Sequence, residues 1–583
     1  MTAIMRPHEA RHIIAPGDIC YYFFTMKKTR RPARKAAAAA TAPSGEDLVS
    51  FFKLKVNAFA NLPAADLRDD IRDRLPKPPD ARNGKRVACI GAGPASLTVA
   101  NDLAPLGYEV VIFEQFATAG GLMRTNIPSF RLPAAVLDEE IGYIVDMGVD
   151  LRLNSPVKSM ASLLQTGGFD AVFVGTGAPR GKDLSLPGRD HERVHIGIAW
   201  LESVAFGHVK SIGENVLIIG VGNTAMDCCR TSLRLGARNV KVMARKPRGF
   251  FKASEWELED AEEESVEIVV NHSPKAFVIE DGKLAGMRFD RMEYTVERGR
   301  ILAERVIDEV FIPCDDVILA IGQDNAFPWI ERDLGIDFDK WDVPQVDPKT
   351  FQSTRPGVFF GGDAAFGPKN IIWAVAHGHD AAISIDKYCR GEDLRQRPPP
   401  TFELVSQKMG IHEWSYDNAI AVDRRHKVPL KDTVIALKSI KVEVELGFDA
   451  KLAWQEAQRC LNCDVQTVFA DRLCIECDAC VDICPMDCIT FTGNGEEPDL
   501  RQRLRAPAVN LAQDLYVSGG LKTGRVMVKD EDVCLHCGLC AERCPTGAWD
   551  MKKSFIDMTH AGMAPQVRRP VPAAPGAVAV AAD

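Results

Sequence analysis

Eight cysteines stand in two runs of one pattern. Cys474, Cys477, Cys480 and Cys484 precede Pro485, and Cys534, Cys537, Cys540 and Cys544 precede Pro545. Thiolates are soft ligands that suit iron and zinc. Three closely spaced thiolates and a fourth before proline fit a cuboidal iron–sulfur cluster, the fourth reaching the cluster of the other run. The spacing therefore assigns Cys474, Cys477, Cys480 and Cys544 to one [4Fe–4S] cluster, and Cys534, Cys537, Cys540 and Cys484 to a second. Zinc is the competing reading, but zinc sites usually take two pairs. Cys460 and Cys463 do not complete a site, so a third cluster would need distant or partner ligands. Cys488 reads as packing. The chain has 17 cysteines in all. The two runs argue for metal ligation in a reducing compartment rather than disulfides, and so for the cytoplasm.

Two glycine loops supply the other chemistry. Lys85–Leu97, KRVACIGAGPASL, reads as a strand from Arg86 to Ile90, a turn, and a helix start. Gly91 allows the turn and Gly93 lets the backbone approach a pyrophosphate. Pro94, Ala95 and Ser96 open a helix whose N–H groups favour phosphate charge. Ser96 departs from the usual Gly or Ala. Glu114 ends the next strand, where an acid can hydrogen-bond a ribose hydroxyl. The second loop follows the strand Asn215–Ile219: Gly220, Gly222, Asn223, Thr224 and Ala225 open another helix. The next strand ends in Arg245-Lys246 rather than an acid, which suits the 2′-phosphate of NADP over NAD. Solvated surface charge is the plainer reading of that pair. Arg248 and Lys252 are secondary candidates for the same site.

Further stretches carry a resemblance. Ala119–Arg124 is AGGLMR, Ile127–Pro133 is IPSFRLP, and Thr354–Asp363 is TRPGVFFGGD, with a helix from about Asn370. Over roughly residues 85–390 the chain resembles the flavoprotein family of the glutamate synthase small subunit and the NADPH-binding half of dihydropyrimidine dehydrogenase. The resemblance implies FAD at the first loop. It places Gly121 and Leu122 along the flavin, Gly362 and Asp363 at the ribityl or phosphate region, and Ile371 facing the isoalloxazine, with Arg131 and Gly177 in the same site. The strand Asp170–Val174 and its glycine turn resemble the point where the chain leaves the flavin domain. The family's N-terminal domain carries clustered cysteines. Only Cys20 precedes Cys89 here, so that domain is absent or cannot bind clusters in the usual way.

The elements that hold these residues divide the chain. A length of 583 residues means several domains. Residues 1–45 read as a flexible basic tail and 46–84 as a helical segment. The FAD domain takes 85–190 and 326–395, with the NADP domain, 191–325, inserted; Asp281-Gly282 marks a hairpin inside it. Residues 396–470 are a linker with an amphipathic helix at Ala450–Ala457, followed by the Cys460/Cys463 pair. A ferredoxin-like domain spans 471–555, with a loop-and-hairpin insertion near 493–527, and 556–583 read as a disordered tail. The expected fold is α/β, with two nested Rossmann-like domains and a C-terminal dicluster α+β domain. No apolar run is long enough for a membrane span. The formal charge of −9 gives nucleic acid no footprint.

NADP exchanges a hydride, an iron–sulfur cluster carries one electron, and a flavin does both. The order NADP–FAD–clusters follows, in whichever direction electrons run, and no catalytic side chain is required. The expectation is an electron-transfer flavoprotein subunit. Family analogy names a thiamine-diphosphate 2-oxoacid:ferredoxin oxidoreductase, such as a 2-oxoglutarate enzyme, or a ferredoxin, as partner. A glutamate synthase small subunit is a rival, opposed by the missing N-terminal cysteines and the added cluster domain. A stand-alone NADPH:ferredoxin oxidoreductase is another. An assembly scaffold with vestigial sites is opposed by the intact glycines, Glu114, Asp363 and all eight cysteines.

Overall fold

The structure is a computed structural model that describes residues 77, 81–297, 299–397, 401–406, 425–457 and 465–563. The expectations for residues 1–45, for most of 46–84, for Cys460 and Cys463, and for the chain after 563 lie outside them.

Two parallel sheets carry the glycine loops. The first has the strand order Val358–Phe360, Ala171–Val174, Arg86–Ile90, Glu109–Phe113, Asp150–Arg152. Its central strands are short apolar runs, as expected where helices cover both faces. The second has the order Val194–Ile196, Asp316–Leu319, Asn215–Ile219, Asn239–Met243, Glu267–Val269. All five of its strands fall in sequence between Ala171–Val174 and Val358–Phe360, so the second sheet is nested in the first. Each sheet has its own apolar core. The helices Pro94–Leu103 and Ile371–Arg390 pack on the first sheet and on each other. Tyr108 Oη donates to Asp386 Oδ1 at 2.9 Å across the same face.

The hairpin at Asp281-Gly282 is present, with both residues at positive φ, as a tight two-residue connection requires. It continues into a longer antiparallel pair, Lys283–Glu297 with Arg300–Pro313, that sequence reading did not anticipate. The helix Ala450–Ala457 forms as expected.

The cysteine runs sit between two small antiparallel sheets, and here the expected boundaries change. Ile489–Gly493, Arg525–Lys529 and Tyr516–Val517 make one sheet. The other joins Thr401–Ser406 and Val465–Phe469 to the strand Trp549–Asp557. Residues read as linker therefore complete the cysteine unit, because Trp549–Asp557 needs partners on both edges. The insertion holds the expected hairpin and also a short helix, Glu497–Gln502. Residues 556–563 are not a disordered tail: Ala561 is buried in the core of the first sheet, and Gly562 N donates to Asp386 Oδ2 at 2.8 Å.

Candidate cofactor sites

Several loops converge on the start of the helix Pro94–Leu103. Gly93 occupies its N-cap in an extended conformation and Pro94 fills the first turn, where no N–H is needed. Gly91 N donates to Phe113 O at 2.8 Å, tying the turn to the neighbouring strand. Glu114 is buried, and its carboxylate accepts from Ala92 N at 2.8 Å and Phe116 N at 2.9 Å. Both oxygens are thereby fixed, with lone pairs left for a hydroxyl. Gly121 has φ +53, and a Cβ there would lie 2.9 Å from Gly93 Cα, so only glycine lets the two loops touch. Leu122 opens the short helix that follows. Ser96 fits because Gly175 has no side chain: a Cβ at 175 would meet Ser96 Oγ at 2.3 Å.

Gly362 comes from the far end of the sheet and packs against Ala95. Asp363, next to it, is pushed up to about 6 by burial, against the pull of Lys369 N, which donates to it at 3.0 Å. Ile371 begins the long helix, capped by Asn370 Oδ1 accepting from Trp373 N at 3.2 Å, and is partly exposed. Gly177 lies in the turn after Ala171–Val174, with open space where a Cβ would point. Ser96 Oγ and Thr176 Oγ1 are buried without a hydrogen-bond partner among the described residues. A helix N-terminus, a fixed carboxylate and unpartnered hydroxyls on adjoining loops fit a dinucleotide.

Arg131 departs from expectation. Its guanidinium donates to Asp227 Oδ1 and Glu257 Oε1, both at 2.6 Å, on the helices Asn223–Arg234 and Glu255–Glu263 of the nested unit. Burial would lower its pKa, but the two carboxylates outweigh that and raise it. Arg131 is thus spent on a junction between units rather than left for a flavin. Phe130 beside it is fully buried under the guanidinium of Arg234, 3.8 Å from the ring centre. Phe130 O accepts from Val444 N at 3.0 Å. The IPSFRLP stretch therefore joins three parts of the chain.

The second loop repeats the geometry of the first. Gly220 has φ +121, and a Cβ there would lie 2.3 Å from Ala320 O. Gly222 is the N-cap of Asn223–Arg234, and no atom lies within 4 Å of where its Cβ would be. Asn223 Oδ1 accepts from Ser254 N at 3.3 Å, while Ala225 is buried and Thr224 half-buried. The open approach over Gly222 fits a second phosphate group. Arg245 is exposed and Lys246 half-buried beyond the strand Asn239–Met243. Arg248, half exposed, pairs with Glu262 and Glu255.

The eight thiols separate four and four. One cavity is lined by Cys474, Cys477, Cys480 and Cys544 with Phe469 and Trp549. The other is lined by Cys534, Cys537, Cys540 and Cys484. The cysteine before each proline thus belongs to the other run's cavity. Backbone N–H groups point at sulfur: Glu476 to Cys474 and His536 to Cys534, both at 3.3 Å, and Ala548 to Cys544 at 3.2 Å. Such donors favour thiolate, the form that binds metal. Cys488 is buried in the core between the small sheets, as its reading as packing expects, and its sulfur also lies 3.4 Å from Cys484 Sγ and lines the second cavity. One residue escaped sequence reading: Lys529 lines that cavity too, and is buried. Its neighbours in sequence give no signal of this.

The pyridine nucleotide-disulphide oxidoreductase family model matches residues 85–378, and the 4Fe-4S dicluster domain model matches 473–548. The beta subunit of the NADP(+)-dependent formate dehydrogenase of Moorella thermoacetica is 36% identical over 392 residues, covering 65% of this chain and 55% of that one. The beta subunit of the NADPH-Fe(3+) oxidoreductase of Geobacter sulfurreducens (strain DL-1 / KN400) is 32% identical over 426 residues, covering 67% and 62%. The small chain of the NADPH glutamate synthase of Azospirillum brasilense is 32% identical over 338 residues, covering 54% and 69%. The chain thus spans 55% and 62% of the lengths of the first two relatives. No helix among the described residues is long and apolar enough to cross a membrane. From the glycine-loop sheets, the thiol cavities and these matches together, the chain belongs to the pyridine nucleotide-disulphide oxidoreductase family and carries a 4Fe–4S dicluster domain after it.

Proposed function

We propose that this chain moves electrons between NADP(H), one FAD and two [4Fe–4S] clusters as the electron-transfer subunit of a larger redox complex. The observation that carries the reading is the four-and-four partition of thiols downstream of two nested glycine-loop sheets. The bound flavin supplies the exchange between hydride and single electrons. The chain's own residues bind and orient: Gly91, Gly93 and the helix start at Pro94 hold the flavin's pyrophosphate, and Glu114 holds a ribose hydroxyl. Gly121, Leu122, Asp363 and Ile371 border the rest of the flavin. Gly220, Gly222 and the start of Asn223–Arg234 hold the nicotinamide nucleotide, with Arg245 and Lys246 at its 2′-phosphate.

The partner we favour is a thiamine-diphosphate 2-oxoacid oxidoreductase with NADP⁺ as acceptor. The names of the relatives keep glutamate synthase as a competing assembly and add formate dehydrogenase. Anaerobic co-purification with the tagged chain separates them. The favoured partner should give NADP⁺ reduction with 2-oxoglutarate and coenzyme A. Reduction with formate alone overturns that choice of partner and leaves the electron-transfer module standing.

Two measurements test the module. Flavin and iron analysis of anaerobically purified protein should give one FAD and about eight irons per chain. About four irons or fewer contradicts two clusters, and clearly more than eight points to a further one using Cys460 and Cys463. Replacing Arg245 and Lys246 together by neutral residues should raise KM for NADPH about tenfold or more and hardly move that for NADH, because only NADPH carries the extra phosphate. An unchanged ratio of the two efficiencies removes the pair from the site.

A further inference from the structure

The two cysteine cavities are near copies in backbone and differ in the sign of the charged side chain that lines them. In each, two turn residues have positive φ, Glu476 and Asp478 in one, His536 and Gly538 in the other. In each, an N–H meets the first sulfur at the same distance. Apart from the thiols, the one ionisable side chain lining the Cys474 cavity is Asp478. The one lining the Cys534 cavity is Lys529.

Lys529 ends the strand Arg525–Lys529, where Val526, Met527 and Val528 are all buried. It is 1% exposed. Its ammonium donates to Thr467 Oγ1, lies 3.1 Å from Glu531 Oε2 and stands 5.6 Å from the centre of the Trp549 ring. Burying an ammonium is costly unless a charge or dipole compensates. An apolar residue in this strand would avoid that cost, so the cation calls for a reason. Glu531 offsets it in part, but Glu531 is a quarter exposed and water screens it. Asp478, across the pseudo-symmetry, is half exposed and has Arg525 at 3.3 Å. Its charge is screened twice over.

We propose that Lys529 sets redox potential, making the group held by Cys534, Cys537, Cys540 and Cys484 the higher in potential of the two and the first to be reduced. The inference rests on the dicluster reading above. One-electron reduction adds one negative charge to a thiolate-held core and makes or breaks no bond to protein. A buried cation beside that core stabilises the added charge far more than a solvated one does. The Cys474 group, whose Cys477 is exposed, is then the lower in potential and the nearer to solvent.

Dithionite titration of the intact, anaerobically purified chain, followed by EPR, tests this. Wild-type protein with about eight irons upholds the dicluster reading, and about four irons defeats it whatever Lys529 does; about eight irons with a single midpoint leaves that reading standing and overturns the proposal. Lys529→Met should lower the higher midpoint and leave the lower one in place. A tenfold fall in the reduction equilibrium constant corresponds to about 59 mV for one electron. Lys529→Arg should keep the wild-type pattern. Lys529→Gln is the second neutral variant, should the Met variant not load. With iron content full, movement of the lower midpoint, equal movement of both or movement of neither overturns the proposal. Loss of iron in both neutral variants with full loading in Lys529→Arg also overturns it, because the charge then holds the site together instead of tuning it.

Discussion

Arg131→Ala should destabilise the junction between the nested units by about 3–5 kcal/mol, the usual cost of removing one partner from a buried ion pair. The size follows from what is left behind. Asp227 and Glu257 keep their buried carboxylates, with side chains 9% and 5% exposed, and lose the one group that answers both. Loss of the nearby packing of Phe130 under Arg234 would by itself cost about 2 kcal/mol or less. The variant also carries a pH signature. Burial already pushes Asp227 up to about 6, even with Arg131 pulling it down. Without Arg131 its folded pKa rises further above the unfolded value. A carboxyl raised in the folded state costs stability once it must ionise, so the deficit is largest above that raised pKa and shrinks as pH falls toward the unfolded value. Urea unfolding at pH 8 and pH 5.5 measures this. Arg131→Lys should recover part of the loss, since one ammonium cannot match two carboxylates in fork geometry. Equal stability of wild type and Arg131→Ala at pH 8 shows that the junction does not hold the units.

The contrast between Arg131 and the glycines shows what a sequence reveals. Gly91, Gly93, Gly220 and Gly222 are legible because the constraint is local: a strand end, a turn and a helix start lie within ten residues. The cysteine runs are legible for the same reason, with one long-range step, the exchange of Cys484 and Cys544, supplied by the known geometry of paired clusters. Arg131 sits within a stretch that resembles a flavin site, yet its partners lie 96 and 126 residues away. Nothing local distinguishes a guanidinium aimed at a cofactor from one aimed at another domain. Lys529 is hidden differently. A lysine ending a strand reads as a solvated edge, and only the packing of Thr467, Glu531 and Trp549 around it shows that it is buried. Residues 556–583 read as a tail because Pro and Ala dominate their far end, while Ala561 and Gly562, just past the last strand, dock on the first sheet.

Changing Cys477 and Cys537 together to Ser should abolish transfer to the partner while sparing flavin reduction. These two are chosen because they do least in packing. Cys474, Cys480 and Cys540 belong to the buried core between the small sheets; Cys477 and Cys537 do not. Cys477 is exposed and Cys537 half-buried, so the loss falls on ligation rather than on the fold. Serine is nearly the same size, but its hydroxyl stays protonated at neutral pH and replaces a thiolate poorly. Each cluster then keeps three of its four assigned ligands, and iron per chain should fall well below about eight. The first sheet and the nested sheet have cores of their own, built from residues outside the cysteine unit apart from Ala561. FAD content and NADPH oxidation with a small flavin-accepting dye should therefore hold near wild-type values. Electron delivery to a ferredoxin or partner subunit should drop to background, because the one-electron exit has gone. A double variant that keeps FAD, has lost iron from both sites and still reduces the partner at the wild-type rate would place the clusters off the path and end this account of the chain.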